Sequence, residues 1–241
     1  MSRSRTRFLM LLLVALPCRV QRGFAQIPSA PPARRWEISV SAGYGIAGTR
    51  SRFEDVMRRS GLGDTEGCDV FCVGAISNPH SRGALTTGVE VSYAVRARWR
   101  VQVERISADL GETFGYHEPL TWVFLHPSVT TVATLAVFSL AGPVRIGAGP
   151  ALSSVQVTRT DLPGGPGSRA RRLGFVLLGS VVSSERGRVF AAGTAQFAFV
   201  GSPSVGPFVG QALAGPATAV MPRTPISFNY ATIHLGLGLR F

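Results

Sequence analysis

Apolar and polar residues alternate with a period of two over most of this chain. In its last stretch Ile233, Leu235, Leu237, Leu239 and Phe241 fall on one face, and Thr232, His234, Gly236, Gly238 and Arg240 on the other. Successive side chains of a strand point to opposite sides, so the segment is a strand with one oily and one polar face. The pattern begins at Trp36, where Trp36, Ile38, Val40, Ala42, Tyr44 and Ile46 oppose Glu37, Ser39, Ser41, Gly43 and Gly45. It returns over residues 85–95, with Val89, Val91 and Tyr93 opposite Gly88, Glu90 and Ser92. After a turn at Arg96-Ala97-Arg98, a third strand sets Trp99, Val101 and Val103 against Arg100, Gln102 and Glu104. Weaker alternation predicts a fourth strand over 129–140. Val144, Ile146, Ala148, Pro150 and Leu152 against Arg145, Gly147 and Gly149 predict a fifth. The sixth and seventh cover 173–182 and 189–200. In the sixth, Phe175 and Leu177 compete with Val176 and Leu178 for the outward face.

The connections alternate in length. Residues 47–83, 109–127, 156–171 and 201–225 are long; 96–98, 141–143 and 185–188 are short. Such an order predicts an all-β, antiparallel, up-and-down transmembrane β-barrel of about eight strands with its long loops at one end. Closure pairs every backbone amide, which lipid demands. Strands of roughly 9–11 residues cross a bilayer at a tilt, whereas no apolar run reaches the roughly 18 residues a helix needs. Trp36 and Trp99 fall near the short-turn ends and Tyr44 and Tyr93 further along, as aromatic girdles require. The alternative is a soluble sandwich with these rings in its core.

The chain has 241 residues, 45% hydrophobic and 16% charged, with 28 Gly and 16 Pro. This suits one ordered domain of strands, turns and loops. The formal charge is +12, all of the cationic side chains being Arg. Without Lys there is no Schiff-base chemistry. Arg3, Arg5, Arg7, Arg19 and Arg22 lie in an export signal over residues 1–25, with an apolar stretch at 8–16 and a cleavage site before Gln26. Residues 26–35 are a disordered lead-in, and 36–241 form the barrel domain. The other arginines are scattered rather than striped, which argues against nucleic acid and for a surface meeting anionic lipid. Cys18 leaves with the signal unless it anchors a lipoprotein. Cys68 and Cys72, in Cys-Asp-Val-Phe-Cys, form a small disulfide loop in an exported protein. A metal site would need more ligands than the nearby His80.

Residues 36–46, the segment Val-Arg-Ile-Gly-Ala-Gly-Pro-Ala-Leu over 144–152, and 233–241 with its terminal Phe resemble the small bacterial outer-membrane β-barrel superfamily, such as the transmembrane domain of OmpA and its OmpX and OmpW relatives. The resemblance implies long loops outside, short turns and both termini in the periplasm, and Phe241 as the C-terminal assembly signal read by the barrel-assembly machinery. It implies outer-membrane lipids and lipopolysaccharide as partners and a structural or surface-interaction role without catalysis or cofactor. Its OmpW branch implies a narrow channel for small or apolar solutes instead.

Several groups suggest chemistry. Glu37, Glu90, Gln102, Glu104, Arg145, His234 and Arg240 share the inner face, as an interior ion-pair network or a narrow polar conduit. Gly43-Tyr44-Gly45-Ile46-Ala47-Gly48 matches a dinucleotide fingerprint, but the preceding strand alternates where a parallel strand is apolar on both faces. A short helix over 52–60 inside the first long loop accounts for Phe53, Val56 and Met57. His126-Pro127-Ser128 at the outer end of the fourth strand resembles the site of the outer-membrane lipid A deacylase, also a small barrel. No carboxylate follows in that strand to complete a triad. The second loop carries Phe114, Tyr116, His117, Glu118, Trp122 and Phe124, and the fourth is apolar. These loops either meet a partner or pack over the barrel mouth.

Overall fold

The computed structural model describes residues 35–47, 49–60, 83–111, 113–117, 121–160, 167–183, 187–212 and 220–241. The export signal, most of the lead-in, Cys68, Cys72 and His80 lie outside them. In chain order the elements are β1 (Trp36–Ala47), a helix α1 (Thr49–Arg59), β2 (Gly83–Ala94), β3 (Trp99–Asp109), β4 (Thr113–His117), β5 (Thr121–Ala141), β6 (Val144–Arg159), β7 (Ser168–Val182) and β8 (Val189–Phe199). Five two-residue strands follow: β9 (Ser204–Val205), β10 (Phe208–Val209), β11 (Gln211–Ala212), β12 (Val220–Met221) and β13 (Thr224–Pro225). The last strand is β14 (Tyr230–Arg240).

Among the described residues, eight strands close a ring in the order β1-β2-β3-β5-β6-β7-β8-β14, each antiparallel to both neighbours. Partners lead from Trp36 through Tyr93, Val101, Ala136, Ala148, Leu177, Phe197 and Ala231 back to β1 at Ile46, ten residues further on. A stagger of that size tilts the strands, and eight such strands enclose a space that side chains fill.

The outward positions form an exposed apolar belt that includes Ile38, Val40, Val101, Val103, Ile146, Leu177, Leu235 and Leu237. Only lipid covers such a belt on every side of a closed ring, so the chain is a transmembrane β-barrel. In β7 the register is settled by burial. Phe175 and Leu177 are 42% and 44% exposed, while Val176 and Leu178 are 1% and 5%. Trp36 and Trp99 sit at the short-turn rim. Tyr93 does too, not further along its strand, because the ring tilt pairs it with Trp36. Their rings lie 4.8 Å apart, and those of Trp99 and Phe138 4.9 Å apart.

The strands on one side outrun the expected lengths. The fourth barrel strand, β5, has 21 residues and begins at Thr121 rather than 129; β6 extends to Arg159 and β7 starts at Ser168. Part of the second long loop is strand as well, β4 pairing with the outer half of β5. Pro127 lies inside β5 opposite Val157, and its carbonyl accepts the Leu110 amide at 3.0 Å, so the ladder continues through it. On these extensions the outward face turns polar, through Ser107 and Asp109, His126 and Ser128, Ser154 and Gln156, and Arg169 and Arg171. They therefore stand beyond the apolar belt.

The inner wall is divided. Toward the short turns it is polar, with Glu37, Ser39, Ser92, Gln102, Glu104, Arg145, His234 and Arg240 buried. Toward the long loops it is apolar: Ile106, Leu110, Val123, Leu125, Val129, Val155 and Val157 are at most 7% exposed. A uniformly polar interior is thus corrected to a half-polar one. The apolar half is closed by the long loops themselves. Helix α1, three residues longer at its start than the sequence reading, buries Phe53, Val56 and Met57, with the Phe53 ring edge-on to Phe228 at 6.0 Å. The fourth long loop folds back as paired short strands, β9 with β13 and β10 with β12. It buries Val205, Phe208, Met221, Ile226 and Phe228 in the same cluster. Its apolar character is explained by packing over the mouth. Gly43 and Gly45 lie within β1 between two antiparallel neighbours, which is no dinucleotide-binding turn.

Candidate functional site

The inward polar residues are placed by strand parity alone. Glu37 is the second residue of β1, Arg100 of β3 and Arg145 of β6, while Arg240 ends β14. All four therefore reach the lumen at the short-turn end. Arg145 grips Glu37 with both terminal nitrogens, Nη1 to Oε2 at 2.8 Å and Nη2 to Oε1 at 3.3 Å. Arg240 Nε donates to Glu37 Oε1 at 2.6 Å, and Arg100 Nη1 lies 3.2 Å from Oε2. Ser92 adds a hydroxyl donor at 3.3 Å. The Arg240 guanidinium also lies 4.4 Å above the buried Phe190 ring, a cation–π contact that fills this end of the barrel.

One layer further in, Glu90 on β2 and Glu104 on β3 are direct cross-strand partners. Gln102 donates to both, at 3.3 Å and 2.9 Å, and Gln196 from β8 donates to Glu104 at 2.8 Å. His234 bridges the wall, with Nδ1 3.1 Å from the Ser41 hydroxyl and Nε2 3.2 Å from that of Thr86. These groups surround a small space bounded by Glu90, Glu104, Gln196 and His234. The polar half ends at a hydroxyl chain. Tyr230 donates to Thr131 at 2.8 Å, and Thr131 meets Ser153 at 2.9 Å, directly beneath the apolar cap.

The seven lumen residues of the sequence reading all face the lumen, from β1, β2, β3 and β14 and, across from β1, from β6. Glu37, Arg145 and Arg240 meet directly, Glu90, Gln102 and Glu104 meet one another, and His234 bonds to neither group. Arg100, Gln196 and Tyr230 were missing from that set. Period two already placed Arg100 on the inner face, whereas Gln196 needed the β7–β8 register. Among the described lumen groups, Arg100, Arg145 and Arg240 gather on Glu37, with Glu90 and Glu104 one layer further in, while Arg159 is buried at the long-loop end and donates to the Val209 carbonyl. What such an arrangement does is brace the walls: Glu37 alone links β1, β3, β6 and β14.

A second polar group lies outside the barrel. Asp109 ends β3 opposite Ser128 on β5, and its Oδ1 is 3.2 Å from His126 Nε2. The carboxylate absent from the fourth strand is supplied by its neighbour. His126 and Ser128 are two residues apart on one outward face within β5, not at the strand's start. Phe241 continues β14 with an outward, 61% exposed ring, its amide donating to the Trp36 carbonyl at 3.0 Å.

No family model and no curated protein matches the chain. Among solved structures it is similar to Neisserial surface protein A, at 13% identity over 86% of this chain and 97% of that one, with a TM-score of 0.48. It is similar to Ail, the attachment invasion locus protein of Yersinia pestis, in complex with the heparin analogue sucrose octasulfate, at 11% identity over 86% and 99%, with a TM-score of 0.43. The N-terminal β-barrel domain of Pseudomonas aeruginosa OprF aligns at 9% identity over 85% and 97%, with a TM-score of 0.37. At such identities only the course of the chain is compared. The ring of eight staggered antiparallel strands makes this chain an eight-stranded up-and-down β-barrel.

Proposed function

We propose that the protein is a non-conducting outer-membrane barrel, exported by its N-terminal signal, whose role is structural and surface-interacting through the folded long-loop end. The observation that carries this reading is the double closure of the lumen. Glu37 and its three arginines fill one end, and the cap of Phe53, Met57, Phe208, Met221 and Phe228 fills the other. Among the described residues these two clusters occupy both ends of the lumen, which weighs against the channel. The extensions of β5, β6 and β7 beyond the apolar belt supply a platform for contact with another surface. Outer-membrane lipids and lipopolysaccharide remain its nearest partners, with the C-terminal strand and Phe241 serving assembly. The test combines three readings on expressing cells and refolded protein: heat-modifiable migration of the outer-membrane fraction, cleavage of the long-loop end by external protease, and planar-bilayer recording. The expected result is a gel shift, external cleavage and no conductance steps. Discrete steps that disappear in Arg145→Ala would overturn the closed-lumen reading.

A second reading follows from the contact between His126 and Asp109. Ser128, His126 and Asp109 together suit hydrolysis of an acyl ester at the membrane surface. His126 would take the Ser128 proton as the hydroxyl attacks the ester carbonyl and return it to the departing alkoxide, after which water releases the acid. The check is mass spectrometry of lipid A and phospholipids from cells expressing the native protein or Ser128→Ala. Loss of an acyl chain with the native protein alone would support it, and identical profiles would remove it.

A further inference from the structure

Four arginines edge the short-turn end of the barrel on one continuous arc. Arg35 precedes β1, and its carbonyl accepts the Ala94 amide of β2 at 2.8 Å. Arg96 and Arg98 lie in the turn between β2 and β3, and Arg188 precedes β8, where its carbonyl accepts the Arg240 amide of β14 at 2.8 Å. In ring order these positions follow β3, β2, β1, β14 and β8 without a gap. The turn between β5 and β6, Ala141-Gly142-Pro143, has no charge. Arg35, Arg96 and Arg188 are exposed and Arg98 is half-buried. Among the described residues the acidic side chain at this end is Glu37, 1% exposed and committed to the lumen arginines. No other described side-chain carboxylate stands beside the arc; Glu185, in the turn that leads to Arg188, lies outside the described residues.

We propose that this arc binds the phosphates of anionic phospholipids in the leaflet at the short-turn end, a proposal that rests on the transmembrane reading and gives its lipid contact a place. Depth identifies the partner. Trp36, Tyr93, Trp99 and Phe138 point outward within the last four positions of their strands at the short-turn end, and amphipathic rings settle at headgroup level. Arg35, Arg96 and Arg98 lie within one to three residues of those rings, Arg188 is placed at the same rim by its carbonyl bond to the Arg240 amide, and Arg35 Nη1 donates to the Tyr93 hydroxyl at 3.2 Å. A guanidinium there presents its donor fork to phosphate, and its stem follows the apolar wall. Basic side chains near a membrane surface favour anionic lipid additively, and salt weakens the attraction.

The full chain, refolded into phosphatidylcholine bilayers, carries the test. Trace spin-labelled phosphatidylglycerol or phosphatidylcholine reports the lipid immobilised at the protein wall. At low salt the immobilised shell is expected to prefer phosphatidylglycerol by about threefold or more, the preference shrinking as salt rises. In the triple variant Arg96→Gln, Arg98→Gln, Arg188→Gln it is expected to fall to about one, with the heat-modifiable gel shift intact. Arg169→Gln with Arg171→Gln, at the opposite end, is expected to retain it. An immobilised shell without preference, or a preference lost only in the Arg169 and Arg171 pair, overturns the proposal. Retention of the native protein on peptidoglycan sacculi, lost in the triple variant and without lipid preference, assigns the arc to that polymer and overturns it equally. Absence of any immobilised lipid would instead refute the transmembrane reading itself.

Discussion

Replacing Glu37 by alanine is expected to cost about 3–5 kcal/mol of folding free energy, the range for removing one partner of a buried ion pair. The carboxylate is 1% exposed and contacts guanidiniums from Arg100, Arg145 and Arg240 within 3.3 Å. Without it three positive charges face one another in a closed wall. Arg100, at 12% exposure, can lean toward water, but Arg145 and Arg240 are fixed by strand parity and by the Phe190 ring. The double variant Glu37→Ala with Arg145→Met is expected to recover part of the loss, because one uncompensated charge leaves with its partner. Glu90→Gln is expected to be neutral or slightly stabilising, since Glu90 faces the like-charged Glu104 directly across the ladder. Urea titration of protein refolded in detergent micelles measures all three. If Glu37→Ala unfolds within 1 kcal/mol of the native protein, or Glu90→Gln is the more damaging, the cluster is hydrated and the bracing role is wrong.

The same residues show where the sequence spoke clearly. β1 and β14 were legible almost to the residue, because both are wet on one face and oily on the other along their whole length. There the alternation is a direct image of the two environments. Glu37 and Arg240 could be assigned to the lumen from parity, but that they meet depends on the pairing of β1 with β14, which joins the two ends of the chain. The sequence reading followed the inner face of the third strand only as far as Glu104, although the signal for what lies beyond was present. Ile106, Ala108 and Leu110 continue the parity of Gln102 and Glu104 while the residue type switches. That switch marks the level at which the wet half gives way to the cap.

Two elements were hidden for different reasons. β5 was cut short because Pro127 lacks a donor and a proline ordinarily ends a central strand. Its carbonyl still serves the ladder, so the strand runs on and carries His126 away from the loop. The cap over the mouth was not readable because its contacts are remote. Phe53 on α1 meets Phe228 across more than half the chain, and no local periodicity encodes that. The carboxylate beside His126 was missed in the same way: Asp109 is remote in sequence and adjacent only once β3 and β5 pair.

Glycines separate what periodicity can specify from what it cannot, and they give the second large effect. Gly43→Val is expected to abolish the folded, heat-modifiable form. Gly43 faces inward on β1, opposite His234 of β14. A Cβ there would strike the Ile233 carbonyl oxygen and the His234 Cα, which are backbone and cannot rotate aside. Overpacking against side chains costs about 1–3 kcal/mol, and a clash with a rigid ladder lies at or above the top of that range. It also falls on the seam between the first and last strands, where closure of the ring is completed and no further strand can compensate. Gly179→Val provides the contrast. Gly179 faces outward on β7 with nothing within 4 Å of its added Cβ, so the valine meets only lipid and is expected to change stability by less than about 0.5 kcal/mol. Both positions read as small residues in alternating strands, and only the distance to the neighbouring backbone sets them apart. Gel migration without boiling distinguishes them in one experiment. A Gly43→Val protein that still migrates as the compact form would mean that β1 and β14 can separate at this seam, and that the barrel is held closed by its side-chain clusters rather than by the close approach of these two strands.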